Sequence, residues 1–558
     1  MSSFPEYLCD ALCGYGVDTV FGLVGIPIVE LADTLILKGK IRFVGFRNEQ
    51  AASYAASAYG YLTGKPAVLL TVGGPGVIHA LAGVYNSISN KWPLLVVAGS
   101  SEDVHRGGFQ ELDQVSLLSP YVKFSARLNP SNVDEMLYNA LRQASLGTPG
   151  VSYLDLRGDV FHQKCLRNEP ERPRPLHAVK YQPVDLDLEF VAGVLRSSKN
   201  VLCVIGKGAT NNANEVRQFV KQFQIPFLPT PMAKGVVPDS SALNVSSARS
   251  LALRSADVVL VLGARLNWIL HFGEPPRWKD SAVFIQVDTT AEDLGHNNAH
   301  GTTYSLCGDV GLTLQRLTPL LKEVKYTGVS QELGDKIQAN QDVLRAKEDV
   351  KKTTGTTALT YNQVYAMVRR CIVDQNTIIV SEGANTMDVA RVSFPTDYPK
   401  QRLDAGTNAT MGVGVGYAIA AKLAHPDKLV LCIQGDSAFG FSGMELETAA
   451  RCHLGMVFMV MNNGGIYHGD SGANDPSTGT VSNRELASTS LTRKCRYDLV
   501  AEGLGCRGFL VENITELNDA FQKALKIAAT GQPALLNVII EPGRQGKLEF
   551  GWQNKPKL

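Results

Sequence analysis

The sequence of 558 residues has almost no net charge: 54 Lys and Arg stand against 53 Asp and Glu, a formal +1. Without a field of one sign it offers little to a phosphate backbone or an acidic membrane surface, so nucleic-acid binding is not expected. No apolar run approaches the roughly 18 to 20 residues that a bilayer crossing needs, and the opening MSSFPEYLCD lacks the basic start and apolar stretch of a secretion signal. A membrane span and secretion are therefore not expected. The ten cysteines contain no CxxC pair, and several lie inside apolar runs such as 201–205. That argues for buried thiols in a reducing compartment and against a disulfide or zinc framework. Charged residues make up only 19% of the chain and hydrophobic ones 44%, with 52 glycines, which excludes disorder over most of it.

What is present is length and a rhythm. A chain of 558 residues exceeds one hydrophobic core and implies about three to four domains. Short runs of Val, Ile and Leu recur at 66–72, 93–98, 201–205, 258–262, 283–287, 377–380, 429–433, 456–461 and 534–540. They do not alternate with polar residues, which is how strands of a parallel sheet covered on both faces read. Alanine-rich stretches with helical spacing, such as 48–62 and 442–453, lie between them, so the fold class is α/β with doubly wound parallel sheets. Two polar stretches break the rhythm, 168–183 with four prolines and 322–357 with dense Lys, Asp and Glu, and both read as connectors. Three α/β blocks follow, 1–165, 185–325 and 358–542, with a tail at 543–558.

In the third block, Gly435-Asp436-Ser437 follows one strand, and some two dozen residues on, the next strand ends in Asn462-Asn463-Gly464-Gly465. In a parallel sheet both loops open at the strands' carboxyl ends, so a carboxylate, an amide oxygen and a free carbonyl can converge. Such hard oxygens suit Mg²⁺, which completes its octahedron with water and diphosphate oxygens. Either dipeptide alone is an ordinary turn. Together, at this spacing, they resemble the signature of the thiamine-diphosphate enzymes, whose fold has three such domains: an aminopyrimidine-binding, a middle and a diphosphate-binding domain.

The resemblance implies Asp436, the Asn463 side chain and the Gly465 carbonyl as Mg²⁺ ligands, with Ser437, Ala438 and Tyr467 along the diphosphate. Ala384, Asn385 and Thr386 after one strand, Thr410, Met411 and Gly412 before a glycine-rich helix, and Tyr361 would hold the rest of the cofactor. Met411 would wedge beneath it and bend it into a V. Glu49, in Arg47-Asn48-Glu49-Gln50-Ala51-Ala52, is by itself a first-turn acid at a helix start. By resemblance it reaches N1' of the aminopyrimidine across a dimer interface and starts the removal of the thiazolium C2 proton. A homodimer is then the smallest complete assembly, and a homotetramer a pair of these.

Further motifs, among them Thr19 to Pro27 and Gly263 to Trp268, resemble the branch holding 2-hydroxyacyl-CoA lyase and oxalyl-CoA decarboxylase. Both chemistries form a thiamine-diphosphate ylide, attack a CoA thioester and end in formyl-CoA; they differ in losing an aldehyde one carbon shorter or CO₂. The loop Gly107-Gly108-Phe109-Gln110 looks like the lyases, whose substrates would be long-chain or branched 2-hydroxyacyl-CoA. Phe109 gives an apolar wall, and the Gln110 amide can hold a hydroxyl without adding negative charge. Tyr467 joins Glu49, Phe109 and Gln110 as a catalytic residue. Oxalyl-CoA decarboxylase is the alternative, ahead of an acetolactate-synthase-like carboligase and a catalytically silent assembly protein.

By the same resemblance Ile26, Arg249 and Arg391 meet CoA, and Lys207, Arg265 and Asp288 match part of an ADP site. Thr148 stands where that site has an arginine, which puts ADP activation in doubt. The last residues, Pro556-Lys557-Leu558, look like a peroxisomal address with proline in its first place, implying the import receptor as a partner and a peroxisomal rather than cytoplasmic location.

Overall fold

Where Val, Ile and Leu run together, the backbone is extended and paired on both sides. In the computed structural model, which describes residues 2–102, 105–349, 359–373, 376–469 and 488–542, the strands form sheets of six, five and six, every pair parallel. The first sheet contains β1 (Thr19–Leu23), β2 (Arg42–Gly45), β3 (Ala67–Thr71), β4 (Leu94–Ser100), β5 (Phe124–Arg127) and β6 (Val151–Arg157) in the order 2-1-3-4-6-5. The second contains β7 (Val201–Ile205), β8 (Phe227–Pro229), β9 (Val258–Leu262), β10 (Val283–Asp288) and β11 (Ser305–Cys307) in the order 11-10-9-7-8. The third contains β12 (Thr377–Glu382), β13 (Arg402–Leu403), β14 (Leu429–Gly435), β15 (Val457–Asn462), β16 (Arg507–Val511) and β17 (Ala534–Ile539) in the order 13-12-14-15-17-16. The third order repeats the first, strand for strand.

One core runs across the first and third sheets. It is built on the helices Glu49–Thr63, Pro75–Asn90 and Gly414–Ala424, and it holds Trp92 and Tyr417, whose rings lie 5.5 Å apart. The helices after β2 and β13 meet face to face. Gly416 permits this: a Cβ there would stand 2.7 Å from the carbonyl oxygen of Ala51. The second sheet carries its own cores on both faces.

The stretch 168–183 has neither helix nor strand, as a connector should. The polar stretch 322–357 differs from its reading as a plain connector, because it contains the 18-residue helix Gln331–Glu348. Ser330 caps that helix and only Leu333 is buried on it, so apolar periodicity gave no signal. Its end is tied to the third domain by Glu348, which accepts from Arg369 at 3.0 and 2.9 Å. All ten cysteines are free, five of them buried. Among the described residues no helix is long and apolar enough to cross a membrane. The tail 543–558, with its terminal Pro556-Lys557-Leu558, lies outside the described residues.

Candidate active site

Crevices open where the strand order reverses, at the carboxyl ends of β12 and β14 and of β1 and β3. In the first of these, Asp436 follows β14 and is 2% exposed. Its Oδ1 accepts from the Ser437 N–H at 2.8 Å, and its Oδ2 from the N–H groups of Gly464 at 2.8 Å and Gly465 at 3.1 Å. Burial pushes its pKa up to about 6 against the pull of these amides. The Asn463 amide oxygen accepts from the same Gly465 N–H at 3.2 Å, so the loops after β14 and β15 bring Asp436, Asn463 and Gly465 together. A buried carboxylate met by backbone amide dipoles, beside an amide and a peptide oxygen, fits a hard divalent cation.

The side chains of Asn463 and Asn385 both donate to the Tyr467 carbonyl, at 3.1 and 2.9 Å, joining this turn to the start of the helix Ala384–Ser393. Thr386 lies in that helix's first turn and donates to the Tyr361 hydroxyl at 3.3 Å. Burial raises the Tyr361 phenol to about 12, so it stays a neutral hydrogen-bonding group. Ser437 and Ala438 lie in a helix of a single turn, Asp436–Phe439. The stronger N-terminal field for a phosphate is therefore at Ala384, Asn385 and Thr386.

Glu382, unassigned by the sequence reading, is fully buried between these loops. It accepts from the Gly412 N–H, from the Gly414 N–H at 2.7 Å and from the Gln434 side chain at 2.7 Å. Desolvation raises its pKa to about 7. It therefore shapes the turn that carries Thr410 and Met411, both half-buried.

In the other crevice the Asn48 side chain caps the helix Glu49–Thr63, accepting from the Gln50 N–H at 2.8 Å. Glu49 is 7% exposed and touches His79. Glu445, 1% exposed on the third domain, accepts the Arg47 N–H at 3.1 and 3.2 Å and the Thr448 hydroxyl at 2.7 Å. It pins the backbone just ahead of Glu49, across 398 positions of sequence. Burial raises its pKa. Within the chain, Glu49 and Asp436 have separate sets of partners.

A cavity of about 450 Å³ adjoins this crevice, lined by Ile26, Pro27, Ser100, Arg106, Phe109 and Gln110. Gln110 has a φ of +54°. The loop is anchored by Gln114, which is 1% exposed. Its oxygen accepts the Gly74 N–H at 2.6 Å, and its nitrogen donates to Tyr153 at 2.7 Å and Asp155 at 3.0 Å. Tyr467, 38% exposed, is also in the left-handed region with φ +57°.

The middle domain forms a second cavity of about 420 Å³ with the other two domains, and it gathers Lys207, Arg265 and Asp288 with Lys91 and Trp92. Burial, then the charges of Arg265 and Lys91, brings the Lys207 ammonium down to about 7. Arg265 donates to the Ser89 carbonyl at 2.7 Å and the Thr407 hydroxyl at 3.4 Å. Thr148 lies here too, its hydroxyl 2.9 Å from that of Thr290. Arg249 and Arg391 sit elsewhere. Arg249 donates to the Ile269 carbonyl at 2.5 Å, and Arg391 pairs with Asp404 at 3.0 Å and Asp388 at 2.8 Å, so a CoA phosphate at either would compete with these partners.

Comparison with known proteins agrees with this arrangement of three sheets and two crevices. Models of the thiamine pyrophosphate enzymes match the N-terminal TPP binding domain at residues 3–117, the central domain at 188–317 and the C-terminal TPP binding domain at 381–538. The chain belongs to the thiamine pyrophosphate (thiamine diphosphate) enzyme family. Within it the chain is 54% identical to 2-hydroxyacyl-CoA lyase of Saccharomyces cerevisiae over 99% of both chains. It is 39% identical to human 2-hydroxyacyl-CoA lyase 1 over 100% of this chain and 98% of that one, and 36% identical to oxalyl-CoA decarboxylase of Escherichia coli (strain K12) over 97% and 95%. It is thus a thiamine-diphosphate-dependent lyase of the branch that contains both.

Proposed function

We propose that this chain cleaves 2-hydroxyacyl-CoA, long-chain or branched, to formyl-CoA and an aldehyde one carbon shorter. The observation that carries the choice is the wall of the first cavity, where Ile26 and Phe109 are each 71% exposed beside the neutral Gln110. An open apolar wall suits an alkyl chain, whereas oxalyl-CoA would bring a carboxylate and no chain. The relatives named 2-hydroxyacyl-CoA lyase support the same substrate class.

Bound thiamine diphosphate supplies the carbon nucleophile and the electron sink for the broken carbon-carbon bond. The rest falls to this chain. Asp436, Asn463 and the Gly465 carbonyl hold Mg²⁺; Tyr361, Ala384, Asn385, Thr386, Ser437, Ala438 and Tyr467 face the diphosphate; Thr410, Met411 and Gly412 support the rings. Glu49 holds a proton at the aminopyrimidine N1'. Gln110 orients the substrate hydroxyl, and Phe109 keeps water from the reacting carbon. Because Glu49 and Asp436 serve one cofactor from separate crevices, a second copy completes each site, as a homodimer or as paired dimers.

The cation-lined cavity at Lys207 and Arg265 is the place for a nucleotide phosphate such as that of ADP, which calorimetric titration with ADP tests directly. Peroxisomal residence is carried by Pro556-Lys557-Leu558 alone; a fluorescent fusion lacking those residues should stay outside peroxisomes. The substrate is tested by giving the Mg²⁺-loaded enzyme each thioester. Fatty aldehyde and formyl-CoA are the expected products, and CO₂ from oxalyl-CoA with no aldehyde from the 2-hydroxyacyl-CoA would overturn the reading in favour of the decarboxylase.

A further inference from the structure

Glu49 has a partner that its role as a proton holder leaves unexplained. Its Oε2 lies 3.2 Å from Nδ1 of His79, on the second turn of the helix Pro75–Asn90. The glutamate side chain is 9% exposed and the histidine 60%, so the imidazole is the more open member of the pair. Oε1 borders the bare Cα of Gly76, where a Cβ would stand 2.6 Å from Val72 Cγ2, 2.8 Å from Thr71 Oγ1 and 3.4 Å from Oε1. That Thr71 hydroxyl is buried without a hydrogen-bond partner. The two carboxylate oxygens therefore differ: one is held by an imidazole and the other borders a small space, edged by Val72 and Thr71, that glycine keeps clear.

We propose that His79 is a positioning residue for Glu49, fixing Oε2 so that Oε1 alone is presented to the aminopyrimidine nitrogen. The inference rests on the reading of Glu49 as the group that holds the proton at N1'. A glutamate has three rotatable bonds, and a proton shared with a ring nitrogen requires one rotamer and one oxygen. A carboxylate oxygen accepts, so in this contact the Nδ1–H of the ring is the donor. Hydrogen bonds to a charged group are the stronger kind, so losing this one should slow a Glu49-dependent step by about ten- to a hundredfold. Asparagine carries its amide nitrogen as far from Cβ as histidine carries Nδ1, so it can restore the contact.

The test uses the full chain loaded with thiamine diphosphate and Mg²⁺ in D₂O, following exchange of the cofactor's C2 proton by acid quench and NMR. Cofactor affinity and melting temperature are measured alongside. His79→Ala should exchange about ten- to a hundredfold more slowly than the parent protein, His79→Asn within a few-fold of it, and both should keep the parent's affinity and melting temperature. His79→Ala exchanging at the parental rate while Glu49→Ala is slow would overturn the role of His79 and leave that of Glu49. Equal slowing in His79→Ala and His79→Asn with weakened cofactor binding would mark His79 as merely structural, and also overturns it. Normal exchange in Glu49→Ala would remove the reading of Glu49 and the inference with it.

Discussion

The first and third domains thread six strands in the same order, open a crevice at the same reversal, and press equivalent helices together, yet they carry different chemistry at matching places. After β14 the third domain sets Asp436 and a turn of backbone N–H groups; after the equivalent β3 the first sets Gly73-Gly74-Pro75-Gly76, with no charge. After β13 comes the Met411 turn, held by Glu382; after the equivalent β2 comes Glu49, held from outside its own domain by Glu445. The comparison teaches that strand order decides where a ligand collects, while the loop residues decide which part of it each crevice can take.

The largest expected effect lies in the diphosphate crevice. Asp436→Ala should weaken thiamine diphosphate binding in Mg²⁺ by more than about a hundredfold in calorimetry, beyond the loss for a residue that only orients a ligand. Equal weakening from a change in the Gly73–Gly76 turn would erase the distinction between the crevices. Next comes Glu382→Ala, which strands buried donors on Gly412, Gly414 and Gln434; urea unfolding should show a loss of about 2–4 kcal/mol.

The same carboxyl sets a pH dependence. Its folded pKa is raised from 4.5 to about 7, so its contribution is full below pH 4.5, where it is protonated in both states. As pH rises the unfolded chain ionises first, and about 3 kcal/mol is lost by pH 7. Unfolding of the cofactor-free protein from pH 4.5 to 8 should show that slope, and Glu382→Gln should lack it. Gly416→Ala, which drives a Cβ to 2.7 Å from the Ala51 carbonyl oxygen, should cost about 1–3 kcal/mol and lower the melting temperature without changing cofactor specificity. Smallest is Glu445→Gln. Replacing one acceptor oxygen by an NH₂ group facing the Arg47 N–H should cost about 1 kcal/mol in urea unfolding and slow C2-proton exchange several-fold.

Much of the fold could be read from local pattern, and the misses share a cause. The buried runs such as 258–262 and 456–461 are strands because parallel pairing covers both faces with apolar side chains. β6 escaped notice although it is buried, because polar Ser152 and Asp155 interrupt its apolar run, and the partners of Asp155 include the distant Ser100 and Gln114. Edge strands β2, β5 and β16 are half exposed, and β13 has two residues, so none makes an apolar run. In the candidate site, Asp436, Asn463 and Gly465 were legible because two short motifs at a set spacing carry them, each at the end of an apolar strand. Glu382, Glu445, Gln114 and His79 were not, because each looks like any polar residue on a strand or helix until its partner arrives from elsewhere in the chain.

The sequence by itself determined three parallel-sheet units, the spacing of the diphosphate and metal motif and the family to which it belongs. These follow from periodicity and from residues close along the chain, where backbone geometry leaves few alternatives. Only the tertiary structure decided that Glu445 grips the backbone beside Glu49, that His79 holds one of its oxygens and that Glu382 ties the Met411 turn. Such contacts join residues whose separation in sequence carries no force of its own; burial brings them together, and a buried polar group must then find its partner.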